Sequence, residues 1–244
     1  MGNNICGIIV NALPDFNGQE EFDKKKLKTK FTRTKIKSLS PKDLSVGFKD
    51  KNTLIFLDLI FYQNISEEQV LTDLEKDIAA IFPHARFLIL VINDTVGFTG
   101  YSLVDEGIKL RTKAVVNGDI FLDYGDLNSK EMELYDFTQE ILMVYPDTLK
   151  KMEGNITALN DAAKKKYFLL YRDLLLKKMN KENKLHYRDG SLDNHIIENE
   201  FHGILNCDYY DIETLDFIEF ERRKLNFKKD SLKEYLFMAK RELS

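Results

Sequence analysis

An apolar segment at residues 53–126 constrains the fold most, because strand, helix and turn signals follow one another along it. Its first run, Thr53–Tyr62, is rich in aliphatic and aromatic residues and predicts a largely buried strand. Ser66 and the glutamine three residues after it match the capping box that begins a helix, and Pro83 would end that helix. A second buried strand is predicted at Phe87–Ile92. The order strand, helix, strand favours a crossover between two parallel strands of one sheet.

Turn residues divide the rest of this segment into three further strands. The predicted strands are Gly97–Val104, Ile108–Val116 and Asp119–Tyr124. The first two are separated by a turn that contains Glu106 and Gly107. The last two are separated by Asn-Gly at positions 117 and 118, which is the strongest two-residue hairpin signal because both positions of a type I′ turn need a positive φ. These turns predict an antiparallel meander after the crossover.

The first fifty residues contain an apolar run and a basic tract. Ile5–Leu13 is apolar and predicts a buried first strand. Lys24–Lys37 carries eight basic residues and no acidic residue, and its partial alternation predicts an edge strand whose lysines block pairing with other chains. The alternative is a surface that contacts the phosphate backbone of nucleic acid. The residues that would make this contact are Lys28, Lys30, Arg33 and Lys35. Only Phe31 is interleaved with them, so nucleic acid is the less favoured partner.

Beyond residue 128 the apolar spacing becomes helical. Helices are predicted at Ala162–Met179, Asp193–Leu205 and Ser231–Glu242. The apolar face of the last one consists of Leu232, Tyr235, Leu236 and Ala239. We therefore expect an α+β protein, with a mixed β-sheet, a crossover helix and an antiparallel meander in residues 1–127. A mainly helical region in residues 128–244 would pack on that sheet.

Histidine and glutamate residues recur on the predicted helix at Asp193–Leu205. His195, Glu198 and His202 fall on one helical face, within about 60° of one another. Imidazole and carboxylate groups are ligands for zinc, iron or manganese, so these residues define an alternative hypothesis, a metal-dependent hydrolase. Their spacing matches neither the zincin nor the di-iron pattern, and His–Glu pairs at this spacing are common on helix surfaces. We therefore expect no metal or other cofactor.

A tract that mixes acidic and aromatic residues runs from Asp208 to Glu221. The simplest interpretation is that its aromatic residues pack in the core. The alternative is an acidic interaction surface whose anchors would be Tyr209, Tyr210 and Phe217, because aromatic residues are enriched at protein interfaces. Its partner would be another protein, or the Lys24–Lys37 tract of a second copy of this chain.

Composition and motifs narrow the functional class. The sequence contains no Walker A loop, dinucleotide-binding glycine motif, G-x-S-x-G, H-E-x-x-H or C-x-x-C motif. A net charge of −4 gives no general attraction to nucleic acid, and the apolar runs are shorter than the roughly 20 residues that a membrane span needs. Two cysteines and the lack of a signal-peptide pattern favour the cytoplasm. We therefore expect a non-catalytic cytoplasmic protein that binds another macromolecule, as a regulatory, immunity or defence component.

Residues 95–131 carry a family resemblance. A Val-Gly-Phe start at position 96 is followed by the turn at Glu106 and Gly107, then by Arg111, and later by Gly118, Gly125 and Glu131. This arrangement resembles the meander of an uncharacterised bacterial domain family. The resemblance implies the same run of antiparallel strands. That family has no established activity, so no functional residue is carried over from it.

Overall fold

The computed structural model describes residues 4–16, 31–35, 44–56, 69–93, 95–116, 119–129, 131–132, 203–204, 215–220 and 229–244. The chain divides into two compact units. The first comprises Met1–Gly125 with Ile197–Ser244, and the second comprises Asp126–Ile196. In the second unit, Asn128 and Glu131 form a reciprocal pair in which each side chain accepts a hydrogen bond from the other residue's backbone N–H. This arrangement is a helix-starting capping box.

The first unit is built on one antiparallel sheet. Its strands are β1 (Asn4–Val10), β2 (Phe31–Lys35), β3 (Leu44–Lys49), β4 (Asn52–Phe56), β5 (Arg86–Asn93), β6 (Phe98–Asp105), β7 (Ile108–Val116), β8 (Asp119–Gly125) and β9 (Asp216–Phe220). The strand order is β2-β9-β3-β4-β1-β5-β6-β7-β8, and every neighbouring pair is antiparallel. In the part of the chain that the structure describes, two helices accompany the sheet, α1 (Asp73–Ile81) and α2 (Lys229–Leu243).

The predicted α+β fold, with a mixed sheet and a mainly helical C-terminal part, is wrong. The described residues form a nine-stranded antiparallel sheet with two short helices. Strand β9 lies in the region expected to be helical, and it inserts between β2 and β3. Its sequence, DFIEF, has buried residues on both faces of the sheet, so it lacks the simple alternation that would have indicated a strand.

The predicted crossover helix is present, but the predicted parallel pair is wrong. Strands β4 and β5 run in the same direction, because each pairs antiparallel with β1, which lies between them. Helix α1 falls between β4 and β5 in the chain, as expected for a crossover. The insertion of β1 depends on pairing between distant parts of the chain, for which the local sequence pattern carries no signal.

Helix α1 begins later than Ser66 predicts. Its N-cap is Thr72, whose hydroxyl accepts a hydrogen bond from the Glu75 backbone N–H at 3.2 Å. The Glu75 carboxylate accepts in turn from the Thr72 backbone N–H at 2.7 Å. These two bonds form a capping box. The sequence therefore contained two candidate boxes, and the structure uses the second.

The meander is confirmed. Strand β7 has the bounds predicted for it, and Glu106 and Gly107 both adopt positive φ, 48° and 75°, as a type I′ hairpin turn requires. Val116 pairs with Asp119, as a two-residue hairpin connection demands, and the linking positions 117 and 118 lie outside the described residues. The described part of the basic tract, Phe31–Lys35, is an edge strand as predicted, because β2 lies at one end of the sheet, and the rest of the tract lies outside the described residues.

Both faces of the central strands are buried. The helix-covered face, on which α1 and α2 pack, includes Ile8, Val46 and Ile89. The second face includes Leu54, Phe56, Leu88 and Leu90, which are fully buried as well. The predicted apolar face of α2 is confirmed, since its four residues, Leu232, Tyr235, Leu236 and Ala239, all lie in the core. Burial on both faces explains why β5 is almost continuously apolar.

Candidate functional site

The basic and acidic tracts meet within one chain. Arg33 and Lys35 are exposed on β2, whereas Lys28 and Lys30 lie outside the described residues. The Arg33 guanidinium donates a hydrogen bond to the Asp216 carboxylate on β9 at 2.7 Å. That hydrogen bond lowers the pKa of Asp216, desolvation opposes it, and the positive charges of Arg33 and Lys35 lower it further. Arg33 is therefore already matched by a carboxylate of its own chain.

Phe217 is a core residue. Its side chain is fully buried on the second face, with its ring 5.9 Å from the ring of Phe56. The Phe217 ring also lies over Gly47, where an added Cβ would come within 2.5 Å of it. The ring is therefore not available to a partner at the surface. The other two predicted anchors, Tyr209 and Tyr210, lie outside the described residues.

The candidate metal ligands His195, Glu198 and His202 also lie outside the described residues. In the part of the chain that the structure describes, no group of three or more His, Cys, Asp and Glu residues could hold a metal ion. The metal-dependent hydrolase therefore stays a hypothesis from the sequence.

A buried polar cluster joins α1 to the helix-covered face of the sheet. The Glu75 carboxylate contacts the Lys109 ammonium at 3.0 Å and accepts a hydrogen bond from the Ser102 hydroxyl at 2.5 Å. The Thr112 hydroxyl lies 3.2 Å from that of Ser102, and Lys109 also donates to the Val70 carbonyl at 3.3 Å. The side chains of Glu75 and Lys109 are both 0% exposed.

A β-bulge places the neighbouring cation on the opposite face. Lys109 pairs with Val104 and Arg111 pairs with Leu103, which leaves Leu110 as an extra residue on β7. Val104 belongs to the helix-covered face. Since adjacent residues of a strand point to opposite sides, Leu103 and its partner Arg111 lie on the second face.

On the second face of the sheet, groups of β8 bind the Arg111 guanidinium. The guanidinium forms an ion pair with the Asp123 carboxylate and donates to the Tyr124 carbonyl at 2.8 Å. The arginine is 1% exposed. A buried charge needs such partners, because an unpaired one costs several kcal/mol, and these contacts offset the desolvation of the guanidinium.

The chemistry of these two clusters is structural. A serine beside a carboxylate and a lysine has the composition of a catalytic group, but a substrate must reach the serine. Ser102 and Thr112 are both 0% exposed, and Glu75 is occupied by its cap, by Ser102 and by Lys109. The sequence contained a signal for this cluster, since Thr72 and Glu75 form the better-placed capping box. Nothing local indicated the burial of Lys109.

A shallow surface pocket lies at the C-terminal end of α2. Its volume is about 300 Å³, and it is lined by Asp15, Phe16, Phe237, Lys240, Arg241 and Ser244. The Phe16 and Phe237 rings meet edge to face, with centroids 5.3 Å apart and planes at 82°. This geometry is the preferred arrangement of aromatic pairs. The pair forms an apolar wall at the protein surface.

Charged groups surround this aromatic pair. The Lys240 ammonium donates to the Pro14 carbonyl at 2.8 Å and lies 5.8 Å from the centre of the Phe16 ring. The Arg241 guanidinium donates to the neighbouring Glu242 carboxylate at 2.6 Å, and its side chain is 43% exposed. Sequence reasoning missed this site, because Phe16 falls in an irregular segment and Lys240 and Arg241 lie off the apolar stripe of α2.

No family model, curated protein or solved structure matches the chain. The resemblance of residues 95–131 to an uncharacterised bacterial family therefore stays a prediction. No helix in the described ranges is long and apolar enough to cross a membrane.

Proposed function

We propose that this chain is a non-catalytic protein that binds another protein, and that the α2 pocket is part of the contact surface. The observation that carries this proposal is the Phe16–Phe237 pair, exposed to a surface pocket beside Arg241. Aromatic residues and arginine are the types enriched in the energetically dominant parts of protein interfaces. A pocket next to them can receive a side chain of the partner.

The enclosure of the polar clusters supports a binding role over a catalytic one. The serine, lysine and glutamate that resemble a catalytic group are buried, and Glu75 accepts a hydrogen bond from Ser102 and contacts Lys109 inside the fold. The α2 pocket is also lined by a serine, a lysine and a carboxylate, but the Ser244 hydroxyl donates to the Lys240 backbone carbonyl at 2.6 Å. Its cations are held by a backbone carbonyl and by a carboxylate.

The charge arrangement supports a protein partner over nucleic acid. Arg33, one of the cations proposed to contact phosphate, forms an ion pair with Asp216 of its own chain. Phosphate binding depends on cations that release counterions, and an internally paired arginine contributes less to that release. The sequence contains two cysteines, too few for a disulfide-rich scaffold, and on the basis of this cysteine content we place the protein in the cytoplasm.

Affinity capture with the full chain tests the proposal. Tagged wild-type protein and the variants Arg241→Glu and Lys76→Glu are cross-linked in extracts of the cells that express the protein, and captured partners are compared by mass spectrometry. Lys76 is the matched control, because it is an exposed helical cation that pairs locally with Asp73. We expect one partner that wild type and Lys76→Glu capture and Arg241→Glu loses. Equal capture by Arg241→Glu, or no partner with wild type, would contradict the proposal.

A further inference from the structure

We propose that the α2 pocket receives a neutral aromatic side chain of the partner, of the tyrosine or tryptophan type. This inference rests on the proposed function and adds the chemistry of the anchor. It follows from three properties of the pocket, namely its wall, its charge balance and its volume.

The wall of the pocket favours an aromatic ring. Phe16 and Phe237 present their rings at 82° to each other, so an entering ring can stack on one and meet the edge of the other. An aliphatic side chain would gain only the burial of its surface. An aromatic side chain gains the same burial and the ring–ring contact in addition.

The charges at the rim favour a neutral group. Two cations, Lys240 and Arg241, are balanced by the carboxylates of Asp15 and Glu242. Glu242 already accepts two hydrogen bonds from Arg241, at 3.1 and 2.6 Å, so the attraction of Arg241 for an acidic side chain is reduced. A basic side chain would be repelled by both cations. A neutral aromatic ring is affected by neither of these charge interactions.

The polar groups of the rim suit an amphipathic ring. The exposed guanidinium of Arg241 can lie over the face of an entering ring, as Lys240 lies near the ring of Phe16. The exposed carboxylate of Asp15 can accept a hydrogen bond from a phenol O–H or an indole N–H. A volume of about 300 Å³ is at the lower end of ligand pockets, which fits one side chain better than a larger ligand.

A fluorescence titration tests the inference directly. The chain contains no tryptophan, so tryptophan emission in a mixture belongs entirely to an added probe. N-acetyl-tryptophanamide is titrated with the full chain, and the bound probe is displaced with N-acetyl-tyrosinamide, N-acetyl-leucinamide or N-acetyl-aspartic acid amide. We expect saturable binding that the tyrosine derivative reverses and that the leucine and aspartate derivatives leave in place. Displacement by the aspartate or leucine derivative, or no saturable binding, would overturn the inference.

Substitutions in the pocket test whether the tryptophan probe binds there. Phe237→Ala removes one ring of the wall and should weaken probe binding about two- to tenfold. Arg241→Ala, at an exposed position, should weaken it about two- to fivefold without loss of the fold. The matched control is Phe121→Ala, since Phe121 is an exposed aromatic residue of β8, 68% accessible and outside the pocket. Equal weakening by Phe121→Ala would show non-specific stacking and overturn the inference.

The two proposals fail in different ways. If the probe does not bind while partner capture still depends on Arg241, the aromatic anchor is wrong and the protein-binding function stands. If the probe binds at the pocket while no partner is captured, the anchor chemistry stands as a property of the site and the protein-binding function is wrong. Circular dichroism of each variant establishes that the compared proteins are folded.

Discussion

Lys109 and Arg111 are two residues apart on β7, yet their side chains lie on opposite faces of the sheet. In a regular strand, residues at this spacing share a face. Here Leu110 is the extra residue of a bulge, so Lys109 and Arg111 pair with two adjacent residues of β6 and point to opposite faces. The lysine reaches Glu75 on α1, and the arginine reaches Asp123 on β8. One inserted residue therefore directs two cations to two different carboxylates.

Deletion of Leu110 should be tolerated. Without it, Lys109 and Arg111 become true neighbours and keep opposite faces, and a regular ladder replaces the bulge. Leu110 is partly exposed, so its loss removes little core surface. We expect the deletion variant to unfold in urea in a single cooperative transition.

Deletion of Thr112 is the matched control. It lies two positions further along β7. If the bulge absorbs this deletion, Leu110 takes the place of Arg111 beside Asp123, and Arg111 takes the buried place of Thr112 beside Ser102. We expect that variant to lose the cooperative transition. If the two deletions behaved alike, the bulge would not explain the placement of the two cations.

Gly125 should be essential to the same bulge. Its φ is +85°, and an added Cβ would lie 2.0 Å from the Leu110 carbonyl oxygen. Gly125→Ala therefore combines the cost of a left-handed residue with a clash against backbone, and we expect a loss of about 2–4 kcal/mol of unfolding free energy.

Gly107→Ala separates the cost of the left-handed backbone conformation from the cost of the clash. Gly107 has a φ of +75°, and an added Cβ there meets no atom within 4 Å. It should therefore show the conformational cost alone, about 1–2 kcal/mol. Urea unfolding of both variants measures the difference, and equal losses would contradict the clash.

The sequence predicted the meander because its turns carry their own signal. The positive φ of Glu106 and Gly107 satisfies a local requirement, and β7 begins directly after it. The strand order carries no such signal. Strand β9 inserts between β2 and β3 from the far end of the chain, and its partners are settled by pairing over long sequence separations.

The sequence also predicted the core-facing residues of α2 but not the α2 pocket. The core-facing residues of α2 were predictable from their helical spacing, and Leu236 and Ala239 are fully buried. Phe16 comes from a segment without periodicity and meets Phe237 only through the tertiary fold. Likewise, a regular strand at β7 would place Lys109 and Arg111 on one face, and the sequence has no marker for the bulge that separates them.

The Arg33–Asp216 pair should make Asp216 titrate at an unusually low pH. The hydrogen bond from Arg33 lowers the pKa of this carboxyl below its ordinary value of 3.8. A carboxyl whose pKa is depressed in the folded state stabilises the fold above about pH 4, and this contribution is lost as the pH falls through the lowered pKa. Both side chains are well exposed, so the effect on stability should be small.

Site-resolved titration by NMR measures this shift. In Arg33→Gln the midpoint of Asp216 should rise toward 3.8, because the charged hydrogen-bond donor that lowers its pKa is removed. Lys35→Gln is the control and should move the midpoint less, since Lys35 acts only through its charge. An unchanged midpoint in Arg33→Gln would show that the ion pair does not form in solution.

The buried Glu75–Lys109 pair should be strongly coupled. Glu75→Gln keeps the size of the side chain and removes the charge that faces the Lys109 ammonium at 3.0 Å. Lys109→Met removes the cation and leaves the buried carboxylate with its other donors, Ser102 and the Thr72 backbone. Removal of one partner from a buried pair costs about 3–5 kcal/mol, so each single variant should be severely destabilised.

The double variant Glu75→Gln with Lys109→Met decides whether the two losses share one cause. Because neither side chain then carries a charge into the interior, the combined loss should be clearly smaller than the sum of the single losses. The exposed helix pair offers the control, since Lys76→Gln beside Asp73 should change stability little. Additive losses in urea unfolding would mean that Glu75 acts mainly as the partner of Thr72 in the capping box and that Lys109 is held by other contacts. A smaller combined loss would instead identify the ion pair as the contact that joins α1 to the sheet.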